Sequence, residues 1–481
     1  MICRWRRAHF IYRRRTACDG QMSATPYSRT NTAIQSARRG ATLATTTIRQ
    51  SAQPRRPCRN NTMDNKPSTH YQPPFVTKFN RSTRLWNLFG QKKIDLSEES
   101  LIAAARAETG LERFGDESFL APLRMLLQSL ETEADLNPFG RFNARMRTIR
   151  SLKNRLWANA CFEAHPEILA QNIETPIVIV GPHRSGTTRL QRMMATDTRL
   201  QHLKTWEGFN PAPRPGQPEM GKQARREEVR QFLDMGKQIY TGGHIAHPMD
   251  ADWPEEDMLL LNHSFCGFSV LGMFHVPSYY RWFLDYDKTE VYRYTAKLMK
   301  LISWSRGDGA DKRWVLKNPQ HMLDLDTLLK VFPDARLVFT HRDPLKTVGS
   351  VMSLMWYFAV QHTDVPCRAR TRDVWMDFCE QAARRAIDAR EQIPAAQQMD
   401  VHYDDMNRDW RAAMHRIYAF AGMEFTPQGE QEMQAWLSAS ESENLHGGHR
   451  YALEDFGTSA DEVDRRMMFV RERYAIAYEG K

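Results

Sequence analysis

The chain has 481 residues, 41% of them hydrophobic, and a formal net charge of +10. That is ample apolar material for a core and enough length for more than one domain, while no run approaches the roughly 18 apolar residues of a membrane span. The basic balance does not imply a nucleic-acid-binding body. Residues 1–62 carry thirteen arginines against one acid, Asp19, a local charge of +12, which leaves the rest of the chain at −2.

Residues 1–62, rich in Arg, Ser and Thr and poor in apolar residues, are expected to be disordered. Three readings compete for them: an organellar presequence, a basic arm for polyanions, or upstream sequence with Met63 as the working start. Arg13-Arg14-Arg15 sits poorly in the amphipathic helix of a presequence, which favours the last. The body then reads as soluble and cytoplasmic. Cys161, Cys266, Cys367 and Cys379 show neither C-x-x-C spacing nor a paired histidine pattern, so no disulfide framework and no metal is expected.

From residue 82 to about 172 the pattern is helical, with Ser97 as an N-cap and apolar residues at three- and four-residue intervals over 119–130 and 146–169. This lead-in is read as scaffold. Ile177-Val178-Ile179-Val180 then reads as a buried strand. Gly181 to Thr188 follows as a glycine loop, and Leu190, Met193 and Met194 recur at helical spacing. A glycine loop at a helix N-terminus gathers backbone N–H groups and partial positive charge at one point, where a phosphate or sulfonate fits. The loop departs from G-x-x-x-x-G-K-[ST] in having Thr187 where the lysine belongs; the cation stands earlier, as Arg184.

A proline-rich connection, 210–219, precedes a charged helix over 222–239 and a loop over 242–248 that carries His244 and His247. Glu255, Glu256 and Asp257 are explained as acids in the first turn of a single buried helix running from Met258 to Val276. Apolar and aromatic residues over 265–282 serve equally as core or as the wall of an apolar site. Trp314-Val315-Leu316 is a short strand ending in Lys317, followed by a helix over 321–331. Arg336 to Thr340 is a second strand, ending in His341-Arg342-Asp343, with a helix over 347–354. This is the rhythm of a parallel sheet, whose ligands gather at the carboxyl ends of strands. The remaining pattern is helical over 374–393, 410–421 and 427–438, with a strand over 399–403 and a basic, aromatic loop over 447–451.

The ordered set resembles the PAPS-dependent sulfotransferases, most nearly the bacterial branch with a helical N-terminal extension and locally the tyrosylprotein sulfotransferases. The resemblance spans residues 90–460 and implies an α/β fold: a P-loop-like parallel sheet flanked by helices, with a helical N-terminal extension (82–172), the main domain over 173–460, and a helical C-terminal third with a tail over 461–481. It implies 3′-phosphoadenylyl sulfate (PAPS) as co-substrate, with no metal, and a small-molecule, glycan or lipid acceptor. By the same resemblance, Arg184, Ser185, Gly186, Thr187 and Thr188 bind the 5′-phosphosulfate, and Arg342 and Ser350 bind the 3′-phosphate. Tyr403 and Tyr451 lie near the nucleotide. Arg184, Lys317 and Glu207 would be catalytic, Glu207 as base and Lys317 at the leaving oxygen, with Glu255, Glu256 or His247 as the replacement if Glu207 fails. A P-loop kinase or NTPase, with Asp343 as a magnesium ligand, is the runner-up, and a catalytically silent nucleotide-binding protein is the third reading.

Overall fold

The structure, a computed structural model, describes residues 72–88, 93–307, 312–442 and 451–479. The basic tail and most of the loop over 447–451 lie outside them. Five parallel strands form one sheet in the order β2-β3-β1-β4-β5, where β1 is Ile177–Val180, β2 Leu200–His202, β3 Arg313–Lys317, β4 Arg336–His341 and β5 Gln398–His402. The central strand pairs Ile179 with Lys317 on one side and Val180 with Phe339 on the other. All strands run the same way, so the residues after each carboxyl end share one rim.

Successive strand residues face opposite sides, and the core follows that alternation. Val178, Val180, Leu316, Leu337 and Phe339 join the cluster packed under the Thr289–Arg306 helix. Ile177, Ile179, Val315 and Val338 join the opposite cluster with Leu190 and Met193 of the Thr187–Met194 helix and with the Trp410–Ala421 helix. Because both faces are covered, the strands are continuous apolar runs, as in an α/β sheet.

The helical lead-in comprises Pro74–Leu88, Glu98–Thr109, Leu120–Thr132 and the long Pro138–Ala164 helix. Ser97 caps the second of these through the N–H of Ser100, as its position before the apolar run requires. Two sequence expectations are corrected. The stretch 258–276 is no single helix: it breaks into Met258–Leu261, a 3₁₀ turn over Asn262–Ser264 and Ser269–Met273, around Phe265 with φ +57°. Residues 241–246 are helical where a loop was expected. Cys161, Cys266 and Cys379 are buried free thiols. Among the described residues no helix is long and apolar enough to cross a membrane.

Where β1 enters its loop, a Cβ on Gly181 would lie 2.0 Å from the Thr340 hydroxyl of β4. Gly181→Ala therefore forces the two strand ends apart, at a cost of about 1–3 kcal/mol typical of overpacking. Urea unfolding of the variant measures it.

Candidate functional site

The carboxyl rim of the sheet opens on a cavity of about 560 Å³. The loop after β1 supplies Arg184, Gly186, Thr187 and Thr188 to its wall, the end of β4 supplies Arg342, and the end of β5 supplies Tyr403. Arg184 itself has φ +67° and Gly186 φ +90°, which turns the loop back on itself ahead of the helix. A Cβ on Gly186 would sit 3.0 Å from the Tyr403 ring. Ser185 is turned elsewhere: its hydroxyl bonds Thr340 Oγ1 at 2.6 Å and the Pro182 carbonyl at 2.7 Å, tying loop to sheet.

The two arginines are adjacent. Arg342 donates Nη1 to the Arg184 carbonyl at 2.8 Å, and its guanidinium lies 3.9 Å from the Tyr403 ring centre. Its remaining nitrogens grip the Glu479 carboxylate, Nε to Oε1 and Nη2 to Oε2 at 2.9 Å each. Burial opposes charge on Arg342, but this carboxylate holds the guanidinium above its ordinary range. Arg184 donates Nη1 to the Ala246 carbonyl at 2.9 Å and has no carboxylate partner among the described residues. Burial, then Arg342, push it below its ordinary value. An anion arriving there relieves both penalties.

Lys317 stands behind this wall. It is 1% exposed, and its ammonium donates to Glu256 Oε1 at 2.6 Å and Thr188 Oγ1 at 3.2 Å, both residues of the cavity wall. Asp257 accepts the Lys317 backbone N–H at 2.9 Å and lies 2.9 Å from His321 Nε2. Next to them Glu255 Oε2 meets His247 Nε2 at 3.2 Å, while Glu255 Oε1 accepts the Glu256 N–H at 2.9 Å. Burial raises the Glu255 carboxyl, but His247 and Lys317 outweigh it and hold the group below the usual carboxylate range. So the three acids explained from sequence as helix-dipole partners instead fix the lysine and a histidine at the site. His183, also on the cavity wall, is pushed down to about 3, first by burial among Phe268, Trp375 and Phe378 and then by Lys317; it is neutral near pH 7.

Glu207 is not among these residues. Its carboxylate is held by Arg306, with Nε to Oε1 at 2.9 Å and a second contact from Nη2, and Oε2 accepts the Lys204 N–H at 3.1 Å. It is 3% exposed and off the cavity wall, so its expected role as base is corrected to that of a buried ion pair and helix cap. Arg306 comes from a helix a hundred residues away, which local spacing does not reveal. Ser350 is buried on the Pro344–Ala359 helix, off the wall, and Tyr451 covers the same helix, its hydroxyl donating to the Lys346 carbonyl at 2.9 Å. Asp343, the magnesium ligand of the runner-up reading, is occupied by Arg471 at 2.6 Å and by the N–H groups of Leu345 and Glu479. Among the described residues no group of three His, Cys, Asp or Glu is placed to hold a metal ion.

Away from the rim the cavity wall comes from helices and is mainly apolar, with Phe232 and Leu233 of the Lys222–Ile239 helix, Met258 and Phe268, and Met355 and Phe358 of the Pro344–Ala359 helix, but it also carries Arg147 and Lys237. Its two ends suit different chemistry: a cationic pocket built on the sheet and a greasy one built on helices.

Comparison with known proteins identifies the family. The model of a sulfotransferase family matches residues 176–427. The omega-hydroxy-beta-dihydromenaquinone-9 sulfotransferase Stf3 of Mycobacterium bovis is 21% identical over 261 residues, 52% of this chain and 63% of that protein. The chain thus spans less than two thirds of the length of the curated relatives it matches. Among solved structures, sulfotransferase STF1 from Mycobacterium tuberculosis is 28% identical with a TM-score of 0.66, covering 78% of this chain and 99% of its own. Sulfotransferase STF9 from Mycobacterium avium is 25% identical with a TM-score of 0.70, covering 81% and 100%.

Breaking a buried ion pair strands its other charge, at a cost of about 3–5 kcal/mol. Glu207→Ala should lower stability on that scale in denaturant unfolding while anion binding at the rim survives; a wild-type unfolding curve would show that Arg306 does not depend on it.

Proposed function

Because the chain belongs to the sulfotransferase family, we propose that it moves a sulfuryl group from PAPS to the hydroxyl (or amine) of an apolar acceptor by in-line displacement. The observation that carries this reading is the convergence of Arg184 and Arg342 on one cavity whose far half is apolar. The residues suit a nucleotide with anions at both ends of its ribose. Arg184, the loop N–H groups and the Thr187 and Thr188 hydroxyls would hold the 5′-phosphosulfate. The Arg342 fork would hold the 3′-phosphate, and Glu479 already supplies it with a planar oxyanion. The donor supplies the activated sulfuryl group; the chain supplies position and charge.

Lys317, tethered between Glu256 and Thr188, meets the charge that builds on the leaving oxygen. The proton of the acceptor goes to His247. With Nε2 donating to Glu255, the imidazole presents Nδ1 as acceptor. Glu255 is ionised and fixed at both oxygens, so it orients the ring and balances the imidazolium that forms.

Three variants test these roles. His247→Ala should lower kcat by about 10²–10⁴ with little change in the affinity for adenosine 3′,5′-bisphosphate, and undiminished turnover would move the base elsewhere. Arg342→Ala should weaken that bisphosphate far more than adenosine 5′-phosphosulfate in calorimetric titration; equal losses would remove it from the 3′-phosphate. Glu479→Gln frees the Arg342 fork and should tighten the bisphosphate by about two- to fivefold, the scale of a partly exposed ion pair.

A further inference from the structure

Two arginines of the Pro138–Ala164 helix, Arg147 and Arg150, reach the apolar half of the cavity region one turn apart. Both are pushed below the ordinary arginine range by burial, Arg150 to about 10. Arg150 is accounted for. Its guanidinium lies 4.4 Å from the Phe232 ring centre and 5.6 Å from that of Phe209, and Glu228 acts on it as a counter-charge. Arg147 has no such company. Among the described residues it forms no hydrogen bond, ion pair or ring contact, and its Nε is fully buried without a partner. Among the described residues no carboxylate is paired with it.

A guanidinium cannot shed its proton, so this half-buried side chain stays charged and lacks an anion. Arg147 lies where a ligand would bring one. It lines the 560 Å³ cavity and also a side cavity of about 70 Å³ that shares Phe209, Leu259, Asn262, Ser269 and Met273 with it. Arg150 lines the side cavity too. The carboxylates of the main cavity, Glu255 and Glu256, are engaged with His247 and Lys317. The side cavity is small and suits a compact head group matched to a guanidinium fork.

We propose that the acceptor is an apolar alcohol carrying a carboxylate, and that Arg147 is the specificity-determining residue that pairs with it. This rests on the sulfuryl-transfer reading for the fate of the hydroxyl, but the recognition itself is separable. Calorimetric titration of the protein with adenosine 3′,5′-bisphosphate present compares dodecanoate with methyl dodecanoate. Wild type should bind the acid at least tenfold more tightly, Arg147→Met should bring the acid down to the level of the ester, and Arg147→Lys should restore part of the gap. The thermal midpoint of ligand-free Arg147→Met should match that of wild type, since the half-buried guanidinium has no hydrogen bond or ion pair to lose. Equal binding of acid and ester, binding of neither, an acid preference that survives Arg147→Met, or a fall in the midpoint would each overturn the proposal. Transfer from PAPS to 12-hydroxydodecanoate and to its methyl ester then separates the two readings. Acid-selective binding without transfer overturns sulfuryl transfer and keeps Arg147, whereas equal transfer to both compounds does the reverse.

Discussion

Like charges repel, and a parallel sheet that brings Arg184, Lys317 and Arg342 to one edge must hold them there against that repulsion. The three are held differently. Lys317 is neutralised by Glu256 at 2.6 Å and anchored through its backbone by Asp257. Arg342 is neutralised by Glu479 and stacked on Tyr403. Arg184 has the Ala246 carbonyl and no carboxylate among the described residues. The imbalance is graded: the cation nearest the glycine loop is the one left for an incoming anion, while the others are pre-set by protein carboxylates. This is preorganisation in the electrostatic sense, since the work of gathering the charges is done on folding and not during a reaction.

The same grading divides the acids. Glu479 sits on the Arg342 fork where the proposed donor would place its 3′-phosphate, so it competes with that ligand. Glu256 lies beside Lys317 on the cavity wall. On the proposed function the first would be displaced by the ligand, whereas the second belongs to the wall. Glu255 is a third kind, held at both oxygens and facing a histidine. Three carboxylates near three cations thus take three separate roles, set by what else each one touches.

The strands and the glycine loop were legible because their information is local. Ile177 to Val180 and Leu337 to Phe339 are apolar on both faces, and Gly181 and Gly186 mark close approach and positive φ. β2 went unread: Leu200–His202 is a three-residue edge strand with no periodicity to find. Glu255 to Asp257 were seen but explained by the helix that follows them, because their partners lie outside their own segment, Lys317 and His321 some sixty residues on. Glu207 erred the other way. Its position after the first helix matched the resemblance, yet its local cap and the remote Arg306 had already claimed both oxygens. Spacing reports neighbours along the chain, and a buried carboxylate is governed by neighbours in space.

That contrast also separates the two ends of the cavity. The cationic end comes from strand ends, with Lys317 the last residue of β3, Arg342 directly after β4 and Arg184 in the loop after β1, so each keeps a short offset from an apolar run. The apolar end comes from helices of the lead-in, of residues 222–239 and of residues 344–359, which share no such frame. Arg147 belongs to the lead-in, which read as scaffold because its amphipathic pattern is satisfied by packing alone. A charged residue on such a helix is unremarkable until the fold turns it into a cavity without a counter-charge. On the proposed function, donor and acceptor would be recognised by different parts of the chain, and substitutions on the helices would change the acceptor while leaving the strand tips untouched.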